Sequence, residues 1–221
     1  MKKQINILLL TILSITAVFA QDYTIRKEPE PFQEKIGLSI YYGGPDLWMS
    51  TTFQNQVRVF GATSTTYTPY GAGGIKFDYF LDRYFSLGLD AYYGYATKDS
   101  KVAQFDINGN INEFTISEQV QRYRVLLRGD VHFTDEYRID PYLGFGIGVA
   151  RTFYRADGII PGAVDNFNRE PGANPLAAKA TLGVNFKVSK NFLFFGELAA
   201  GGPYAALGLQ IRFDAKPLDS E

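Results

Sequence analysis

The sequence predicts an all-β chain: an eight-stranded antiparallel up-and-down transmembrane β-barrel. Three observations carry this. From Lys35 onward, apolar residues recur at every second position, the period of a half-buried strand and not of a helix. The runs are separated by connections that alternate between long and short, the asymmetry of membrane barrels with tight turns at one end and long loops at the other. One face of each run but the seventh is apolar and uncharged, while the other mixes small residues with charges.

At 221 residues the chain is long enough for one large all-β domain or two small ones. A formal net charge of −1 gives no reason to expect a nucleic-acid partner. The absence of cysteine excludes a disulfide framework, a thiolate metal site and a thiol nucleophile. Lys2 and Lys3, an apolar run at 5–19 and Val18-Phe19-Ala20 have the layout of a secretory signal peptide over 1–20, with cleavage before Gln21. The apolar run falls short of the roughly 20 residues a membrane helix needs. Residues 21–34, rich in Glu and Pro, read as a flexible periplasmic leader. The barrel is expected over 35–213 and a polar tail over 214–221.

The strands are expected at 35–44, 71–81, 85–98, 118–133, 139–154, 175–188, 192–201 and 204–213. Pro141, Pro175 and Pro203 stand at or just before strand starts, where a missing N–H is tolerated. Long connections are expected at 45–70, 99–117 and 155–174. Tight turns are expected around Asp82-Arg83-Tyr84 and Ser189-Lys190-Asn191.

The apolar face carries, for example, Leu38, Ile40, Ile75, Phe77, Leu87, Leu89, Val125, Leu127, Leu143, Phe145, Leu182, Leu207 and Ile211. The opposite face carries Lys76, Asp78, Asp90, Arg122, Arg124, Arg128, Asp130, His132, Lys179, Glu197 and Arg212, interleaved with glycines. Two features place the apolar face outward. Aromatic residues gather near the short turns (Tyr79, Phe85, Phe133, Tyr142, Phe186, Phe192, Phe213) and near the long loops (Tyr42, Tyr93, Tyr95, Phe153, Tyr154), as bilayer interfaces favour. Glycines on the charged face suit the lumen of an eight-stranded barrel, which side chains must fill without clashing. In PYLGFGIGVA, Gly144, Gly146 and Gly148 make room for the arginines of the neighbouring strand. The strand at 192–201 stays ambiguous, because Phe192, Leu193, Phe194 and Phe195 occupy both faces.

Keeping lipid-facing residues opposite one another constrains the register. Pairing Leu81 with Phe85 sets Lys76 opposite Asp90. Pairing Phe133 with Ile139 sets His132 opposite Asp140, Arg128 opposite Gly144 and Arg124 opposite Gly148. A slip of two residues sets those arginines against Gly146 and Ala150.

The tripartite signal, PYLGFGIGVA after a short turn, the hairpin GVNFKVSKNFLFFGELAAG and a last strand GLQIRF ending in Phe213 resemble the small outer-membrane β-barrel family, which includes OmpA-like and OmpX-like barrels. The resemblance covers about residues 35–213. It implies residence in the outer membrane of a Gram-negative-type bacterium, contact with outer-membrane lipid and lipopolysaccharide, and insertion by the barrel assembly machinery, which reads a terminal strand ending in an aromatic. DAKPLDSE follows Phe213, a departure from that pattern. With eight residues after Phe213, no peptidoglycan-binding domain is expected.

No catalytic, metal or cofactor site is expected. The sequence holds no Gly-rich phosphate loop ahead of a helix and no His/Asp metal cluster. His132 lies at the short-turn end and reads as a lumen histidine paired with Asp140. Asp78 and Asp90 face basic neighbours, so a satisfied ion network is expected rather than a general acid/base pair, because an unpaired charge in a confined lumen is expensive. Function is expected in an extracellular ligand or partner met by the loops at 45–70, 99–117 and 155–174, where Trp48 and the Tyr/Thr stretch to Tyr70 lie, with the chain a monomer. A narrow porin-like channel and a secreted lipocalin-like barrel are the competing readings.

Overall fold

The computed structural model describes residues 34–46, 62–105, 111–134, 138–157, 168–169 and 175–215. The signal peptide, almost all of the leader, Trp48 and most of the polar tail lie outside them. Among the described residues nine strands form: β1 (Lys35–Gly43), β2 (Ala62–Phe80), β3 (Phe85–Phe105), β4 (Ile111–His132), β5 (Ile139–Asp157), the two-residue β6 (Asn168–Arg169), β7 (Leu176–Lys187), β8 (Phe192–Ala200) and β9 (Ala205–Asp214). Eight of them close into a ring, β1-β2-β3-β4-β5-β7-β8-β9, with every neighbour antiparallel and β9 returning to β1. β6 only extends the edge of β5 through Tyr154 and Arg155.

Closure leaves no free edge over the height that all eight strands share, so there every strand can turn one face out and one face in. The outward face is apolar and open: Leu207 is 75% exposed and Ile75 62%. The inward face is charged and closed: Asp90 is fully buried and Lys179 is 3% exposed. A water-soluble ligand-binding barrel would carry the opposite polarity. An apolar band around a charged lumen is what a lipid bilayer requires of a spanning barrel. The chain is therefore an eight-stranded transmembrane β-barrel.

The expected register between β2 and β3 holds, with Lys76 opposite Asp90. Between β4 and β5 the slipped register forms: His132 stands opposite Tyr142, Arg128 opposite Gly146 and Arg124 opposite Ala150. The connection takes up the two extra residues, closed by Thr134 Oγ1 donating to Ile139 O at 2.8 Å and Phe133 N donating to Pro141 O at 2.9 Å. Parity survives because a slip of one would have turned every apolar residue inward.

Three expectations need correction. The connections are shorter than 45–70, 99–117 and 155–174, because β2 begins at Ala62, β3 runs to Phe105, β4 starts at Ile111 and β5 runs to Asp157. Above the apolar band neither face meets lipid, so the hydrophobic alternation vanishes while the ladder continues, helped by β-branched threonines in ATSTTYT. A register shift between Pro69 and Gly71 also changes the phase of β2, and Gly71 takes a φ of 91°, which few side-chain-bearing residues adopt. Second, Tyr142 is not in an outer aromatic belt: it is 3% exposed and points inward with the parity of Asp140. Third, Tyr154 is likewise no belt residue, packing against the buried pair Ala96 and Val120.

The ring is uneven in height. β2 to β5 have 19, 21, 22 and 19 residues, whereas β1, β7, β8 and β9 have 9, 12, 9 and 10. About 9–11 tilted residues cross a bilayer. The low side therefore just crosses it, and the β2–β5 wall stands well beyond it. Outside that wall the tilted rings of Tyr70 and Tyr95 lie 5.1 Å apart and those of Tyr93 and Tyr123 4.9 Å apart, and Tyr123 meets Phe153 edge to face at 5.9 Å.

Candidate functional site

The lumen gathers the chain's buried chemistry. Every residue expected there is inside: Lys76, Asp78, Asp90, Arg122, Arg124, Arg128, Asp130, His132, Lys179, Glu197 and Arg212 are all buried. The seventh ring strand resolves as well. Leu193, Phe195 and Glu197 point inward, and Phe194 and Leu198 point to lipid.

Glu197 is the centre. Its Oε1 accepts from Arg128 Nη2 at 2.8 Å, from the Tyr142 hydroxyl at 2.7 Å and from Lys76 Nζ. Lys179 Nζ lies 3.6 Å from Oε2. Lys179 donates to Asp90 at 2.7 Å, and Asp90 also accepts from the Tyr41 hydroxyl at 2.7 Å. Arg128 Nε donates to Asp130 at 2.6 Å. Asp78 accepts from Gln210 Nε2 at 2.9 Å, and Arg212 Nε donates to Gln210 Oε1 at 2.7 Å.

Sequence parity did not single out the aromatic and apolar residues among these charges. Tyr41, Phe80, Tyr92, Leu126, Tyr142, Leu193 and Phe195 are all buried. Their position in the alternation, shared with Ser39, Asp90 and Arg124, is the signal that could have found them. They also offer ring faces to cations: Lys76 Nζ sits 4.2 Å from the Phe195 centroid, and the Arg212 guanidinium 4.4 Å from that of Phe80.

At the short-turn end lies a hydrogen-bonded chain that the sequence showed only in part. His132 Nδ1 contacts Asp140 Oδ2 at 2.8 Å, and His132 Nε2 contacts Ser86 Oγ at 3.1 Å. The connectivity is that by which hydrolases activate a serine. Two things separate it from a working nucleophile. Ser86 is 1% exposed, and the adjoining cavity, lined by His132, Asp130 and Asp78, encloses about 10 Å³, room for about one water. Asp140 is also held by Asn185 Nδ2 at 3.0 Å, with Arg212 Nη2 at 3.7 Å.

At the opposite mouth, Arg124 Nη1 donates to the Tyr92 hydroxyl at 2.6 Å, and Arg122 and Arg124 both face Asp46. Higher still, Lys98 Nζ lies 3.7 Å from Glu118 Oε2. Burial holds the Glu118 carboxyl above its ordinary pKa, with Lys98 opposing the shift. Among the described residues the buried cations Lys76, Lys98, Arg122, Arg124, Arg128, Lys179 and Arg212 are equalled in number by the carboxylates Asp46, Asp78, Asp90, Glu118, Asp130, Asp140 and Glu197. No group of three or more residues able to hold a metal ion occurs among the described residues.

No protein-family model and no curated protein matches the chain. Solved structures do. The N-terminal β-barrel domain of Pseudomonas aeruginosa OprF has a TM-score of 0.41 at 15% identity, over 82% of this chain and 98% of that one. Yersinia pestis Ail, the attachment invasion locus protein, has 0.42 at 11%, over 82% and 100%. The outer membrane protein OprG of Pseudomonas aeruginosa has 0.43 at 13%, over 83% and 97%. All three are small outer-membrane barrels of the type the sequence resembles. At such scores the likeness adds nothing to what the strand pairing itself shows.

Proposed function

We propose that this chain is an integral outer-membrane barrel of a Gram-negative-type bacterium, with a lumen closed by its own ion network and a working surface on the tall β2–β5 wall. The observation that carries the closed lumen is the reach of Glu197. From β8 it meets groups of β2, β4, β5 and β7, so one carboxylate crosses the lumen in several directions. A conducting pore needs a continuous water path, and the narrow lumen of an eight-stranded barrel is filled by side chains. This reading assigns no catalysis and no cofactor, and places a ligand or protein partner at the protruding end.

Planar-bilayer recording on purified protein tests it. The expected trace stays at baseline apart from brief events. Steady, sizeable open-channel currents would favour the porin-like reading instead. Membrane fractionation with heat-modifiable gel mobility checks the location in the same preparation.

A further inference from the structure

Two buried charges stand in one row of the lumen with glycines around them. Asp78 of β2 and Arg128 of β4 both lie opposite Gly88 of β3 in the ladders, and the row continues with Gly37 beside Asp78 and Gly146 beside Arg128. Two strand spacings set the Asp78 and Arg128 backbones roughly 10 Å apart, and Gly88 puts no side chain in the interval. The carboxylate leans over that glycine, whose Cβ, if it had one, would lie 2.7 Å from Asp78 Oδ1. Asp78 is 5% exposed and Arg128 4%. Asp78 Oδ2 accepts from Gln210 Nε2, while Arg128 donates from Nε to Asp130 and from Nη2 to Glu197. The remaining acceptor and the remaining donor, Asp78 Oδ1 and Arg128 Nη1, have no hydrogen-bond partner among the described residues, so they do not bond each other. Both residues line the enclosed cavity of about 10 Å³.

We propose that this cavity is a binding site for one water molecule, which accepts a hydrogen bond from Arg128 Nη1 and donates one to Asp78 Oδ1. The volume admits about one water and nothing larger. The two groups ask for opposite things, an acceptor and a donor, and water is both. A metal cation there would meet Lys76 and Arg128, and an anion would meet Asp78 and Asp130. Buried charged groups with an unmade hydrogen bond are costly, and a bridging water is nearly as favourable as a direct bond. The Ser39 and Tyr142 hydroxyls line the same cavity and bring its polar groups to the two to four that a buried water takes. The water ties the Asp78–Gln210 side of the lumen to the Arg128–Glu197 side. This goes beyond the closed-lumen reading and fails separately from it: a conducting lumen would hold a continuous file of waters, and a closed one can stand without this single bridge.

The test is a crystal structure of the full chain, refolded in detergent, with ordered waters on the exposed ends of the barrel as the control that water is visible. One peak of water height is expected within about 3.2 Å of both Asp78 Oδ1 and Arg128 Nη1. An empty cavity overturns the proposal, as does a carboxylate swung into direct contact with Arg128 Nη1. Crystals soaked in rubidium bromide separate water from ions: no anomalous signal at the site supports water, and a rubidium or bromide peak there overturns it. Asp78→Asn keeps an acceptor oxygen and is expected to keep the peak. Asp78→Leu removes the acceptor and is expected to lose it, and a peak of undiminished height beside Arg128 in Asp78→Leu overturns the bridge. Should Asp78→Leu not fold, the wild-type density and the anomalous data decide.

Discussion

Arg128 of β4 and Glu197 of β8 meet across the lumen at 2.8 Å, 69 residues apart in the chain. Lys76, Tyr142 and Lys179 close on the same carboxyl group. Glu197→Gln keeps the shape and removes the charge that three buried cations share. Breaking one side of a buried ion cluster costs about 3–5 kcal/mol. The expected result is an unfolding free energy lowered by that amount, read from denaturant titration in lipid vesicles. An unchanged midpoint would show that the cluster does not hold the barrel.

The Ser86–His132–Asp140 chain is a second point of decision. With Ser86 1% exposed, a fluorophosphonate probe has no route to its Oγ. The folded protein is expected to remain unlabelled at Ser86 through prolonged incubation. Ser86→Ala should cost about 1 kcal/mol, the net worth of one buried hydrogen bond. Labelling of Ser86 that Ser86→Ala removes would turn this end of the lumen into an acyl-transfer site.

The three glycines of PYLGFGIGVA meet three different kinds of obstacle: a carboxylate, a side-chain carbon and the backbone of the next strand. A Cβ on Gly144 would run into the Asp130 carboxylate beside Arg128. One on Gly146 would sit 3.4 Å from Leu126 Cβ, an ordinary contact, and one on Gly148 would lie 2.8 Å from the Leu126 Cα of the adjoining strand. Gly146→Ala is therefore expected to stay within about 1 kcal/mol of wild type. Gly148→Ala, pressed against backbone, should lose about 1–3 kcal/mol. Equal effects at the two positions would contradict this geometry.

Parity was legible because lipid and lumen impose opposite demands on successive residues. It placed Lys76, Arg128 and Glu197 inward, but the register it suggested set Gly144 opposite Arg128, where the structure sets it opposite Asp130. It could not see that Gly146 faces Leu126 or that Gly148 meets the backbone of β4. Ion partners were hidden for a related reason. Lys76 stands opposite Asp90 in the ladder, yet its ammonium reaches Glu197, while Lys179 takes Asp90. In so narrow a lumen long side chains reach across, and sequence register orders only neighbours. The upper ends of β2 to β5 were illegible because no lipid stripes them there.

Leu126 and Leu127 test the inverted polarity directly. Leu126 is fully buried among Tyr41, Tyr92 and Phe195, and Leu127 is 58% exposed on the outer band. Leu126→Ala is expected to cost about 2–5 kcal/mol as a core truncation. Leu127→Arg should cost about 2–4 kcal/mol near the bilayer midplane and far less in detergent solution, where the charge can reach water. A barrel with its apolar face inward would tolerate Leu127→Arg in both settings.

The protruding wall fixes which end of the barrel is accessible from outside. A strand of 22 residues such as β4 is roughly 70 Å long at about 3.3 Å per residue. Even tilted, it overshoots a hydrocarbon core of about 30 Å. The excess lies at one end only, because β3 and β4 continue past Tyr93 and Tyr123 while the connections at Asp82 and Ser189 stay tight. Since the chain has no cysteine, single cysteines report position without background. Thr115→Cys lies high on the exposed side of β4, and Lys190, 79% exposed, lies in a tight turn at the other end. On intact cells a membrane-impermeant maleimide is expected to label Thr115→Cys and to spare Lys190→Cys until the outer membrane is permeabilised. The reverse order would turn the barrel over and put the β2–β5 wall in the periplasm. Labelling of both on sealed cells would mean that the barrel does not span the membrane.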